Sequence, residues 1–266
     1  FENGSIYDPC NNKKIKGAIL LQNGIIKKVG KFTTPKNVKR INCQGKIVAP
    51  GLIDIHAHFR EPGREDKETL ATGALAAFSG GFTRVCVMPN TNPPLDSPES
   101  IRFIIEKAVD LPIHIFPIGA ITKRQEGLEI TEIGEMVQAG AVAISDDGLP
   151  VQNGQVMRYA VEYAQKFKIP VINHAEDTYL SNGGVMNESA LSTQFGLPGN
   201  PDISESVMVH RDLEIAEFTN GRIHIPHVST ARSVRLIRQY KKKGLNITAE
   251  VTPHHLGLSE NILSQF

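Results

Sequence analysis

The stretch Ile47-Val48-Ala49-Pro50-Gly51-Leu52-Ile53-Asp54-Ile55-His56-Ala57-His58, followed at once by Phe59-Arg60-Glu61-Pro62-Gly63, is the best guide to the architecture. Its apolar run predicts a buried strand. Side chains alternate along a strand, so residues i and i+2 face the same way. His56 and His58 then share one side while Ala57 turns away. Two imidazoles at the mouth of a core can grip one metal ion, which points to a metal-dependent hydrolase. An isolated His-x-His also occurs in ordinary packing, so the placement of the other histidines carries the weight.

Downstream of Gly51, short apolar segments alternate with helical ones. The predicted strands are Leu52–His58, Arg84–Pro89, Ile113–Ile118, Ala141–Ser145, Pro170–Asn173, Arg222–Pro226 and Asn246–Thr252. Between them Leu70, Ala74 and Phe78 recur at i, i+4 and i+8. Ser97-Pro98-Glu99 reads as an N-cap, an N1 proline and an early acid, ahead of the apolar face of Ile101, Ile104, Ile105 and Ala108. Met157, Ala160, Val161 and Ala164 mark a further helix. Repeated βα units imply a parallel sheet, either a (β/α)₈ barrel or an open doubly wound sheet. The second usually carries a glycine-rich phosphate loop after strand one. Here that strand ends in histidines, which favours the barrel, whose chemistry sits at the C-terminal strand ends.

Upstream, residues 1–50 read as a small β unit and residues 51–266 as the barrel with strands one to seven. Ala18–Gln22 and Ile25–Val29 flank Asn23-Gly24. Asn-Gly between apolar runs signals a hairpin, because a type I′ turn needs positive φ twice.

Composition narrows the classes. Hydrophobic residues make up 40%, enough for a real core, and 29 basic residues balance 28 acidic ones. Neither nucleic acid nor an anionic membrane is called for as a partner. The run Lys241-Lys242-Lys243 before Gly244 suits the solvated end of a helix. Cys10, Cys43 and Cys86 form no paired framework, which reads as a reducing, cytoplasmic setting. No segment is apolar enough to span a membrane and no signal peptide opens the chain.

Polar residues then gather at the strand ends: His56, His58 and Arg60; Asn90; Asp146 and Asp147; Asn173, His174 and Glu176; His227 and Ser229. Four histidines and one bridging carboxylate can hold two ions, a ligand set that suits zinc. Each residue has a plainer alternative. His174 could be a satisfied core histidine, Asp147 a turn cap, and His227 a donor to a carbonyl. His114 and His224 are expected to pack mid-strand and His210 to lie on a helix surface. His254 and His255 could line the rim, without a clear partner.

Taken together, His56-Ala-His58-Phe-Arg60-Glu-Pro-Gly63, Met88-Pro-Asn90-Thr-Asn-Pro93, Ser145-Asp-Asp-Gly148, Asn173-His174-Ala-Glu-Asp177, Gly196-Leu-Pro-Gly-Asn-Pro201 and His227-Val-Ser-Thr230 resemble the dihydroorotases, in the bacterial type I branch of the amidohydrolase superfamily. The resemblance covers nearly the whole chain. It implies an α/β fold, a TIM-like (β/α)₈ barrel incomplete at the C-terminus, beside a small N-terminal β-sandwich portion. It implies one or two zinc ions held by His56, His58, His174 and His227. Many relatives bridge two metals with a carboxylated lysine on strand four; here Asp147 takes that place, with Asp146 as the fallback. Arg60 and Asn90 match the positions that hold a substrate carboxylate.

The implied reaction is the reversible conversion of dihydroorotate and N-carbamoyl-L-aspartate in pyrimidine synthesis, by attack of a metal-activated water on the ring amide. The proton-carrying aspartate of the family belongs to strand eight, so none of the residues before Phe266 fills the catalytic role. That makes the chain either a fragment of a longer enzyme or a short, inactive relative. The rival expectations are another cyclic amidohydrolase, an allantoinase or a dihydropyrimidinase, or a non-catalytic partner of aspartate transcarbamoylase. The resemblance also suggests a homodimer.

Overall fold

The computed structural model describes residues 1–265. The chain divides into two units, Phe1–Leu52 and Ile53–Phe266.

In the first unit, β1 (Ser5–Asp8) pairs antiparallel with β2 (Lys13–Lys16). A hairpin follows, formed by β3 (Ala18–Gln22) and β4 (Ile25–Gly30). Its turn is Asn23-Gly24, with φ of 51° and 72°, the double positive φ of a type I′ turn. β5 (Ile47–Val48) returns parallel to β1, giving the order β2-β1-β5. The hairpin is open to solvent at Leu21, Ile25, Ile26 and Val29.

The second unit runs β6 (Leu52–Ala57), α1 (Leu70–Ser79), β7 (Phe82–Val87), α2 (Pro98–Lys107), β8 (His114–Pro117), α3 (Ile133–Ala139), β9 (Ile144–Ser145), α4 (Gly154–Phe167) and β10 (Val171–Ile172). It continues through α5 (Thr178–Ser181), β11 (Met186–Asn187), α6 (Ala190–Phe195), β12 (Gly199–Asn200), α7 (Ile203–Thr219), β13 (Ile223–Ile225), α8 (Ala231–Lys242), β14 (Ile247–Ala249) and α9 (Pro253–Gly257). The seven predicted strands are all present. Their orders are β6-β7-β8 and β9-β10-β13-β14, and a parallel bridge between Gly119 and Ile144 joins the two sets. The pairs β7–β8, β9–β10, β10–β13 and β13–β14 are parallel. These paired strands therefore point their C-terminal ends to one rim.

The helices follow their local signals. Ser97 caps α2, accepting from the Ser100 amide, with Pro98 at N1. Thr69 caps α1 in a box with Thr72, and Asn153 caps α4. Each cap satisfies amides that the helix itself leaves without partners. The core lies between strands and helices and contains Leu70, Ile101, Ile104, Met157, Ala160 and Ile225, all nearly free of solvent. None of the described helices is long and apolar enough to cross a membrane.

Three expectations need correction. The run leading into His56 is not buried: Leu52, Ile53 and Ile55 are 54%, 57% and 41% exposed. β6 stands at the end of the strand order, and a strand flanked on one side buries less than β10 and β13, which are flanked on both. Phe78 turns outward from α1 although Leu70 and Ala74 turn in. His114 does not pack; it opens β8 and is exposed. The segment from Glu176 to Ser204 holds α5, α6 and the paired β11 and β12.

Candidate metal centre

Strand alternation delivers His56 and His58 to one place: their Nε2 atoms lie 3.3 Å apart. Asp147, just past β9, faces both, with Oδ2 3.4 Å from His56 Nε2 and 3.5 Å from His58 Nε2. Its other oxygen faces a second pair. Oδ1 lies 3.3 Å from His174 Nδ1 and 3.1 Å from His227 Nε2, and those two nitrogens are 3.0 Å apart. Asp147 is thus shared by two three-donor groups, within each of which the donor atoms lie no more than 4.8 Å apart.

This donor set fits a metal. Ring nitrogens that face each other need either a proton between them or a cation that takes both lone pairs. Imidazole nitrogens with one carboxylate are suitable ligands for a borderline divalent ion, and a carboxylate facing two ways can serve two of them.

The electrostatics reinforce the geometry. Burial opposes charge on Asp147, yet hydrogen bonds from His174, His227 and His56 hold its carboxyl well below the usual carboxylate range. Burial likewise opposes a charged His56, but Asp147 and Glu250 outweigh it and hold the imidazole at about 9. Burial, with the nearby positive charges of His56 and Arg60, lowers His58.

The adjacent aspartate is committed elsewhere. Asp146 Oδ1 accepts from the amides of Ile121 at 2.8 Å and Thr122 at 3.1 Å, and its Oδ2 accepts from the Thr122 hydroxyl. Burial pushes its carboxyl up to about 6 despite those bonds. Of the two candidates only Asp147 faces the histidines.

Asn90, past β7, places its Oδ1 2.9 Å from His58 Nδ1. It therefore touches the histidine directly, and its amide nitrogen remains the group able to meet a ligand. Arg60 holds left-handed backbone at φ 61°, and His227 does so at φ 35°. Such a backbone costs a non-glycine residue roughly 1–2 kcal/mol and clusters at functional sites. Among the described residues no carboxylate pairs with the Arg60 guanidinium.

Supporting residues surround the histidines: Asn173 and Glu176 from the strand end already noted, and Glu250, Asp212, Arg211 and Glu205, which the sequence reading did not single out. Glu250, past β14, has Oε1 2.6 Å from His56 Nδ1. Glu176 Oε2 lies 3.2 Å from His174 Nε2. Asn173 donates to buried Asp212 at 2.7 Å and accepts from the Val151 amide at 3.2 Å. Arg211 closes that network by donating to Asp212 and to the carbonyls of Val151 and Gln152. Glu205 accepts from the amides and hydroxyls of both Ser229 and Thr230, fixing the turn after His227. Glu250 had a readable signal, because it ends strand seven as His56 ends strand one. Asp212 and Glu205 lie inside or beside a helix and had none. His224 is buried as expected, but it also reaches Glu250.

A cavity of about 960 Å³ opens beside His174 and His227. Glu176, Asn200, His254 and His255 help line it, so the last two histidines do reach the rim. The segment from β11 to β12 forms part of its wall.

Residues 45–233 match the family described as dihydro-orotase-like. The chain is 48% identical over 262 residues to the dihydroorotase of Endomicrobium trichonymphae, covering 98% of this chain and 61% of that protein. It is 47% identical over 264 residues to the dihydroorotase of Acetivibrio thermocellus, covering 99% and 62% respectively. The chain thus spans about three fifths of the length of these curated relatives. Among solved structures, the L-hydantoinase (dihydropyrimidinase) from Arthrobacter aurescens shares the fold, with a TM-score of 0.84 at 20% identity over 99% of this chain and 60% of that one. A D-hydantoinase from a Thermus species gives 0.78 at 22% identity, with 99% and 59% covered.

Proposed function

The chain belongs to the dihydroorotase-like family, and on that premise we propose that the protein containing it is a metal-dependent dihydroorotase. It interconverts dihydroorotate and N-carbamoyl-L-aspartate. The observation that carries this reading is Asp147, whose two oxygens face two separate histidine pairs. His56, His58, Asp147, His174 and His227 hold the metal. The nitrogen and carboxylate donors favour zinc, and these five residues would hold one or two ions. Zinc bound there supplies Lewis acidity, polarising an amide carbonyl and lowering the pKa of water toward neutral.

The chain's own residues bind and orient. Arg60 grips the substrate carboxylate as a fork, which a planar guanidinium does better than an ammonium. Asn90 spends its oxygen on His58 and donates its amide N–H groups to the same carboxylate. The segment from Glu176 to Ser204 walls the cavity and limits water. The proton for the leaving nitrogen is assigned to none of these residues; the resemblance puts its carrier on an eighth strand. Residues 1–50 are proposed as one portion of a β-sandwich, the assembly as a homodimer and the location as cytoplasmic. Association with aspartate transcarbamoylase is the partner the resemblance suggests.

The test is turnover by the full-length protein with dihydroorotate, hydantoin and allantoin, alongside its metal content. Zinc with opening of dihydroorotate alone is expected, and His56→Ala abolishes it. Preference for hydantoin or allantoin would overturn the substrate. A metal-free protein that binds aspartate transcarbamoylase tightly would overturn the enzymatic reading.

A further inference from the structure

Glu250 is a carboxylate beside the histidines that the proposed reaction does not use. It follows β14 and sits between two histidines from other strands. Its Oε1 is 2.6 Å from His56 Nδ1, and its Oε2 is 3.3 Å from His224 Nε2. His224 is itself oriented, with Nδ1 2.8 Å from the Thr248 hydroxyl, and its Nε2 faces the second oxygen of Glu250 as a close polar contact without hydrogen-bond geometry.

An imidazole with one hydrogen has one donor and one acceptor nitrogen. A carboxylate that only accepts requires the hydrogen on Nδ1. In the metal-loaded site the lone pair then falls on Nε2, the nitrogen that faces Asp147 Oδ2 and His58 Nε2. His58 meets a different partner, the neutral oxygen of Asn90 at 2.9 Å from Nδ1. The two histidines of one strand are thus presented to the site by partners of unequal charge.

We propose that Glu250 is a positioning residue of the metal site: it fixes the tautomer and ring orientation of His56, with His224 and Thr248 holding Glu250 in turn. The inference rests on the reading of His56 as a ligand. Carboxylates behind ligating histidines raise ligand basicity, and their loss typically costs about 10–100-fold in metal affinity.

The experiment uses the full-length protein, zinc and a competing chelator. Glu250→Ala is expected to weaken zinc binding about 10–100-fold. Glu250→Gln keeps an acceptor oxygen without the charge and should recover part of that loss. In the zinc-loaded wild type, ¹⁵N spectra should place the His56 hydrogen on Nδ1. A merely structural tie between strands would move neither the tautomer nor the Gln rescue. Unchanged affinity in Glu250→Ala, or a His56 hydrogen on Nε2, overturns the inference. Should Glu250→Ala fail to fold, the Gln variant and the wild-type spectrum still decide. Wild-type protein that takes up no zinc would overturn the site reading itself, which is a different result from equal affinities.

Discussion

β6 and β13 both deliver histidines to Asp147, yet they are built differently. In β13, Ile223 and Ile225 are 1% and 0% exposed, and the strand is flanked by β10 and β14. In β6, Ile53 and Ile55 are 57% and 41% exposed, and the strand has β7 beside it at the end of the order. The same kind of apolar run therefore does two jobs. One strand is held by the core. The other is held at its functional end by polar contacts: His56 to Asp147 and Glu250, and His58 to Asn90.

The strongest test removes what the two strands share. Asp147→Ala takes an oxygen from each histidine pair at once. Turnover by the full-length protein should fall by more than about 100-fold, beyond the usual cost of losing an outer partner, and bound metal should fall with it. Steady-state kinetics with metal analysis checks this. Retention of full metal would mean that the two pairs do not depend on a common carboxylate.

A smaller effect separates the strands by packing. Ile225→Ala should cost about 2–5 kcal/mol, as for other buried aliphatic truncations. Ile53→Ala should stay within about 0.5 kcal/mol, as for exposed positions. Denaturant unfolding of the two variants measures the difference. Equal losses would show that β6 is covered in solution.

The smallest effect concerns how far the openness of β6 reaches. Cys86 lies on the neighbouring β7, half-buried, and burial with the negative charges of Asp54 and Glu250 pushes its thiol up to about 11. The thiolate is the reactive form, and a raised thiol pKa leaves little of it below that pH. Alkylation at pH 8 should therefore label exposed Cys10 first and spare Cys86, as read by peptide mass. Equal labelling would mean that β7 is open as well.

The local features of the fold were legible. His-x-His on one side of a strand, the Asn23-Gly24 hairpin and the Ser97 cap each follow from neighbours within a few residues. The strand-end rule also brought His174, His227 and Asp147 into consideration. It was not applied to strand seven, and Glu250 was missed. Phe78 shares the spacing of Leu70 and Ala74 in α1 yet is exposed, because spacing defines a stripe and not its width. Of the adjacent aspartates, the resemblance favoured Asp147 with Asp146 as the fallback, but no local rule could separate them. Ile121 and Thr122 capture Asp146, and that capture turns Asp147 to the histidines.

What the sequence alone determined is what the backbone repeats: the period of two in strands, the period near 3.6 in helices, and the φ values of a turn. These depend on chain geometry at each residue and need no distant partner. What only the tertiary structure decided depends on groups brought together from afar. His56 meets Glu250 across 194 residues of chain, and Asp146 meets Ile121 across 25. The openness of β6 belongs to the same class, because burial is a property of what lies alongside a strand and not of the residues within it.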